Sequence, residues 1–142
     1  MAKKTHILNT AIDENYCLLG LASDEKDYRL CWLINNELST EFERIDNLEL
    51  YLKKTDTSQI FSIYQYDDED SLLTYRIIKN ISENGYFLDK VKNLDYLIHI
   101  QGEILPDEIS GFIKKISKIS AIRLCVPVDL RKINDKSRLE LW

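Results

Sequence analysis

Two helical segments of this sequence are separated by a long run of β-type segments. The helices are predicted at about residues 24–37 and from Pro106 onward. Four central strand segments follow one another after the first helix, with no helix that could connect them in parallel. Strands joined without such a helix pair as antiparallel hairpins, and two helices are too few to cover both faces of the sheet. The sequence therefore predicts an α+β two-layer sandwich with a mainly antiparallel sheet, in the order β-α-β-β-β-β-α-β.

Apolar side chains at helical spacing define both helices. The stripe of the first helix consists of Tyr28, Cys31, Ile34 and Leu38. The stripe of the second consists of Ile109, Phe112, Ile113, Ile116 and Ile119. Ser23 is placed to cap the first helix, and Pro106 suits the first turn of the second. Both stripes are expected to face the sheet.

The strand segments differ in their patterns. Residues 16–22 are apolar almost throughout, as in a buried strand, and the central segments lie at residues 41–46, 48–52, 59–66 and 71–80. Residues 94–101 alternate most regularly. One face carries Leu94, Tyr96, Ile98 and Ile100, and the other, interpreted as the polar face, carries Asp95, Leu97, His99 and Gln101. Residues 121–126 supply a last strand, which Pro127 ends.

The length and composition fit one globular domain. The chain has 142 residues, of which 44% are hydrophobic and 30% charged. This is enough to bury a core, and too apolar for a disordered chain. We expect residues 1–142 to form a single domain, with a mobile N-terminus at residues 1–12 and a C-terminal tail at residues 130–142.

The net charge and its distribution along the chain indicate which kinds of molecule the protein could bind. The net charge of −5 argues against a nucleic-acid-binding protein. The charge is also uneven, because residues 1–70 hold 7 basic and 15 acidic side chains whereas residues 71–142 hold 12 and 9. Such a dipolar surface suits association with another protein or with a second copy.

Targeting signals and the use of cysteine indicate the cellular compartment of the protein. No stretch approaches the ~20 apolar residues that cross a bilayer, and polar residues interrupt the segment where a signal peptide would be apolar. Cys17, Cys31 and Cys125 are odd in number and far apart, so they are interpreted as reduced core residues. We expect a cytoplasmic protein with no membrane partner.

No segment predicts a catalytic, cofactor-binding or metal site. Residues 67–70, Asp-Asp-Glu-Asp, lack the spacing and the glycine of a calcium-binding loop and are interpreted as a solvated hairpin turn. His99 is interpreted as a surface or lightly packed histidine, since Asp95 lies ~13 Å away along the same strand. The basic residues of the last third are interleaved with acids and lack an aromatic RNA-binding strand. Phosphate-loop, nucleophile-elbow and zinc-protease motifs are missing, so an enzyme is unsupported rather than excluded.

Residues 88–96, Leu-Asp-Lys-Val-Lys-Asn-Leu-Asp-Tyr, resemble the motif of the bacterial IPExxxVDY family. Leu88 and Leu94 take the places of its Ile and Val, Asp95 and Tyr96 match it, and Asp-Lys stands where the family has Pro-Glu. Residues 27–30, Asp-Tyr-Arg-Leu, add to the resemblance. It implies no activity, cofactor or catalytic residue. We interpret the four motif residues as structural, with Tyr96 pointing inward and Asp95 tying the preceding turn.

Two kinds of function stay open from the sequence. The first is a non-enzymatic protein-interaction or structural domain that acts as a homo-oligomer, most simply a homodimer. Trp142 either folds back onto its own core or serves as an interaction anchor. The second is a small-molecule or acyl-chain binding protein, or an enzyme, with a cleft between sheet and helices. A pocket lined by tyrosines, His99 and Asp95 would favour the second.

Overall fold

A six-stranded antiparallel sheet forms the centre of the computed structural model, which describes residues 8–13 and 15–142. The strands are β1 (Tyr16–Ser23), β2 (Glu43–Arg44), β3 (Leu48–Leu52), β4 (Thr57–Phe61), β5 (Ile63–Asp68), β6 (Leu73–Lys79), β7 (Ile81–Ser82), β8 (Gly85–Tyr86), β9 (Tyr96–Gln101) and β10 (Ile122–Pro127). The longer helices are α1 (Asp27–Leu38) and α2 (Pro106–Ser117). The predicted α+β class is confirmed, and so in outline is the order, although the central run is divided into more strands than expected.

The central sheet has the strand order β10-β1-β9-β6-β5-β2, and each neighbouring pair is antiparallel. β3 pairs with β4, and β7 with β8, in two separate hairpins. Antiparallel pairing throughout is what strands without crossover helices are expected to give. The most hydrophobic strands, β1 and β9, lie side by side inside the sheet, where both of their faces are covered.

One face of the sheet, the helix-side face, packs against α1 and α2. The buried residues of α1 are Leu30, Cys31 and Ile34, and those of α2 are Ile109, Phe112 and Ile116. Tyr28 does not belong to the stripe as predicted, because it is 62% exposed on the outer side of α1. Ser23 does not cap α1 either. It stays in β1, where its hydroxyl donates to the carbonyl of Ala121 at 2.8 Å.

The opposite face, the tail-side face, is covered without a long helix. The β3–β4 hairpin, the segment after β8 and the C-terminal tail pack there on sheet residues. The second core consists of Tyr16, Leu18, Phe61, Ile63, Ile78, Phe87, Leu88, Leu94, Leu97, Val128, Leu130, Ile133 and Leu139. The predicted polar face of β9 is therefore wrong, since Leu97 and His99 are 0% and 1% exposed. Leu94 also lies in this core rather than with Tyr96, because the chain turns before β9 begins.

The two ends of the chain contribute to the packing. Residues 1–7 of the segment predicted as mobile lie outside the described residues. Residues 8–10 are helical, and Leu8 and Ala11 are buried in the helix-side core. In the tail, two short 3₁₀ turns at Leu130–Lys132 and Lys136–Glu140 bury Leu130 and Leu139. Residues 8–12 and 130–142 thus belong to the packed structure.

Candidate functional site

Asp95 and Tyr96 of the predicted motif join the end of β1 to the start of α1. A carboxylate oxygen of Asp95 accepts a hydrogen bond from the backbone N–H of Ser23 at 2.8 Å and lies 3.6 Å from the guanidinium of Arg123. The hydroxyl of Tyr96 donates to the carbonyl of Glu25 at 2.6 Å, and its ring points inward as predicted. Asp95 therefore ties β1, and not the preceding turn as predicted. These contacts hold the fold together, with the Tyr96 ring buried and the Asp95 carboxylate partly exposed.

Asn80 fixes the loop that carries the other motif residues. Its side-chain N–H groups donate to the carbonyls of Val91 and Leu94 at 3.0 and 2.9 Å, and its amide oxygen accepts from the N–H of Leu88 at 2.9 Å. The side chain is fully buried. Sequence reasoning missed Asn80, since an asparagine at the end of a strand is typical of an exposed turn.

A buried polar cluster lies on the tail-side face beneath Trp142. The guanidinium of Arg76 donates to the amide oxygens of Gln65 and Gln101 at 3.0 and 2.8 Å. It also lies 4.9 Å from the ring centre of Trp142. Within the described part of the chain Arg76 forms no ion pair with a carboxylate, so neutral amides and an aromatic ring stabilise its charge.

His99 belongs to the same cluster and is fully buried, which corrects its assignment to the surface. Its Nε2 lies 2.9 Å from the carbonyl oxygen of Leu139. A carbonyl only accepts, so Nε2 donates and Nδ1 carries no hydrogen in the neutral ring. Burial, reinforced by the charge of Arg76 and opposed by the bond to Leu139, lowers the pKa of His99 to about 4. A neutral, weakly basic imidazole covered by its own chain is a poor general base.

Trp142 folds back onto the sheet of its own chain, which is the first of the two predicted alternatives. Its ring centre lies 5.0 Å from that of His99, which in turn stacks on Tyr16 at 5.0 Å. The backbone carbonyl of Trp142 accepts from the side chain of Gln101 at 3.2 Å. A polar cleft of about 400 Å³ borders this cluster. The tail thus closes the tail-side face over its polar groups.

A second cleft of about 400 Å³, here called the aromatic cleft, opens between the sheet, the C-terminal end of α1 and the side of α2. It is lined by Leu38, Ser39, Thr40, Tyr66, Asp68, Ser71, Tyr75, Glu108, Gly111, Phe112 and Lys115. The ring centre of Tyr75 lies 5.9 Å from that of Tyr66 and 5.0 Å from that of Phe112. The alternative function required a cleft between sheet and helices lined by tyrosines, His99 and Asp95, but His99 and Asp95 do not line this one.

Negative charge surrounds the tyrosines of the aromatic cleft. Burial, followed by the carboxylates of Asp68 and Glu108, raises the pKa of Tyr75 to about 12. Burial and several acids, Asp68 first among them, also raise the pKa of Tyr66. Both phenols are therefore neutral at physiological pH, and their hydroxyl oxygens lie in a negative potential.

The cysteines and the acidic residues provide no reactive site. Cys17, Cys31 and Cys125 are free and buried. Burial raises the pKa of the Cys17 and Cys125 thiols to about 12 and raises that of Cys31 as well, so all three are poor nucleophiles at neutral pH. In the described residues no three His, Cys, Asp or Glu side chains come together as metal ligands.

Among the described residues, no helix is long and apolar enough to cross a membrane. Comparison of the chain with protein-family models, curated proteins and solved structures found no match. The resemblance of residues 88–96 to the IPExxxVDY family therefore stays a prediction. The geometry of the chain's own residues is what bears on its function.

Proposed function

We propose that this chain is a non-enzymatic protein-interaction domain that forms a homodimer through the outer face of α1. The observation that carries the proposal is the exposure of two large aromatic side chains one helical turn apart. Tyr28 is 62% exposed and Trp32 is 54% exposed. The guanidinium of Arg29 lies 4.8 Å from the ring centre of Trp32. Tyr, Trp and Arg are the residue types that dominate binding energies at protein interfaces.

The outer face of α1 is suited to a second copy of itself. Arg29 is exposed on the same face as Trp32, over whose ring its guanidinium lies. When two copies of α1 pack about a two-fold axis, the aromatic side chains of one copy meet those of the other, so one surface supplies both halves of the interface. A mainly polar cleft beside the start of α1 holds two exposed apolar side chains, Ile60 at 52% and Ile81 at 46% exposure.

An enzyme or an acyl-chain carrier is less well supported. The imidazole of His99 is neutral and covered, and the three thiols are buried, so none of these groups is prepared for catalysis. Both cores are filled by side chains, and the aromatic cleft carries carboxylates that do not suit an acyl chain.

The proposal includes a cytoplasmic location without a nucleic-acid or membrane partner. Buried, unpaired cysteines fit a reducing compartment. The net charge of −5 opposes the phosphate backbone of nucleic acids and the anionic surface of membranes.

Sedimentation equilibrium over a range of protein concentrations tests the proposal. The wild-type chain should approach the mass of a dimer, and the double variant Tyr28→Ala, Trp32→Ala should stay at the mass of a monomer with an unchanged unfolding midpoint. Tyr51→Ala is the matched control, because Tyr51 is 60% exposed on the β3–β4 hairpin. A wild-type protein that is monomeric at every concentration would contradict the proposal.

A further inference from the structure

We propose that the aromatic cleft binds a small organic cation of the alkylammonium class. This ligand site is separate from the outer face of α1 and does not depend on dimerisation. Aromatic rings attract cations through their negative faces, and neighbouring carboxylates add to the attraction.

Tyr75 lines the cleft with a side chain that is mostly buried and a hydroxyl that is open to it. Its side chain is more than nine-tenths buried, with 8% exposed, and it lines the cleft. Its hydroxyl makes no hydrogen bond with any residue that the structure describes, although the hydroxyl of buried Tyr96 does. The hydroxyl is accessible from the cleft, so water or a ligand there completes its hydrogen bonds.

Gly111 keeps the cleft open. It lies in the middle of α2, where glycine is the least favourable residue apart from proline. A Cβ atom at this position would meet nothing within 4 Å, so close packing does not require the glycine. The missing side chain leaves room beside Phe112 and Tyr75 for the methyl groups of an alkylammonium ion.

Charge determines which ligand suits the cleft. Asp68 and Glu108 border it, and Lys115 is its single basic residue. The carboxylate of Asp68 accepts from the hydroxyl of Ser71 at 2.9 Å and from the N–H of Asp70 at 3.1 Å, which fixes its orientation. The fixed charges of the lining therefore favour a cation over an anion.

The residue types favour an organic cation over a metal ion. Calcium takes six to eight oxygen ligands, whereas this cleft combines two carboxylates with three aromatic rings. No metal-binding group of side chains is found here among the described residues. A volume of about 400 Å³ fits a small molecule.

The test is an NMR titration of the full chain with choline and with the neutral isostere that has carbon in place of the charged nitrogen. Choline should give saturable shifts at the amides of Gly111 and Phe112, and the isostere should give none. The proposal is overturned when both compounds shift these signals alike, or when choline has no effect. Binding of a lysine-rich peptide at the cleft without binding of choline would also overturn it, in favour of a protein partner.

Variants locate the site and separate it from the dimer face. Asp68→Asn combined with Glu108→Gln should weaken choline binding about tenfold, since two nearby charges are lost. Gly111→Leu should abolish binding by filling the cleft, whereas Gly111→Ala, which adds a single methyl group, should weaken binding less. Lys115→Gln should strengthen binding. The variant Tyr28→Ala, Trp32→Ala should bind choline as the wild type does, so a failure of the dimer proposal leaves this result intact.

Discussion

The two faces of the sheet are covered in different ways. On the helix-side face, α1 and α2 pack with regular apolar stripes, and the aromatic cleft lies between the end of α1 and the side of α2. On the tail-side face, the β3–β4 hairpin and the C-terminal tail form the cover, and the polar side chains Arg76 and His99 are buried beneath it. The tail-side cover depends on side-chain hydrogen bonds to backbone carbonyls. Stability there depends on buried polar side chains, whereas the helix side carries the two surfaces that we propose for binding.

The largest effect is expected at the polar anchor Asn80. Asn80→Ala removes three hydrogen bonds and leaves buried backbone groups unpaired, so we expect a loss of about 4 kcal/mol in the free energy of unfolding. Ile34→Val on the helix side should cost about 1 kcal/mol. Urea unfolding of both variants measures the two losses in free energy of unfolding. Equal losses would show that Asn80 contributes no more to stability than an apolar contact of the helix-side core.

A smaller effect, about 3 kcal/mol, is expected from the titration of His99. The unfolded histidine takes up a proton near pH 6.5 and the folded one near pH 4. The unfolded state therefore binds more protons between these values, so stability is complete above pH 6.5, falls as the pH is lowered and levels off below pH 4. His99→Gln should remove this part of the pH dependence. If the free energy of unfolding depends on pH in the same way in the wild type and in His99→Gln, then His99 is in contact with water and its pKa is not lowered.

Substitution of the two tryptophans compares the two faces of the sheet. The losses of stability are expected to differ by about 2 kcal/mol. Trp142→Ala loses its contacts with Arg76 and His99, so thermal unfolding should show it destabilised by about that amount. Trp32→Ala should leave the monomer within about 0.5 kcal/mol of the wild type, since Trp32 is mostly exposed. The reverse order of stability would contradict the account of both faces.

The smallest expected effect is an increase in the stability of a helix on the helix side. Gly111→Ala should stabilise α2 by up to about 1 kcal/mol, because alanine favours the helix and its methyl group meets no neighbour. Gly102→Ala should destabilise instead, since Gly102 has a φ of +133° and lies close to Leu73. Chemical denaturation of both variants checks the signs. Destabilisation by Gly111→Ala would mean that the cleft is closed in solution.

The sequence predicts the helix side far better than the tail side. The stripe of α2, from Ile109 to Ile116, repeats at helical spacing, so its position and buried face follow from the residues alone. The burial of His99 could not be predicted, because its cover comes from Leu139, forty residues away in the chain and in a 3₁₀ turn without a periodic pattern. The aromatic cleft joins α1, α2 and the β5–β6 hairpin, and only the tertiary fold brings them together.

The two indole N–H signals of Trp32 and Trp142 offer the most direct test of the central claim that the helix side makes the contact between copies. Proton–nitrogen NMR spectra recorded at increasing protein concentration resolve one signal from each face. The account predicts that the Trp32 signal shifts and broadens with concentration while the Trp142 signal keeps its position. A shift of Trp142 alone, or constant signals from both residues, would contradict it.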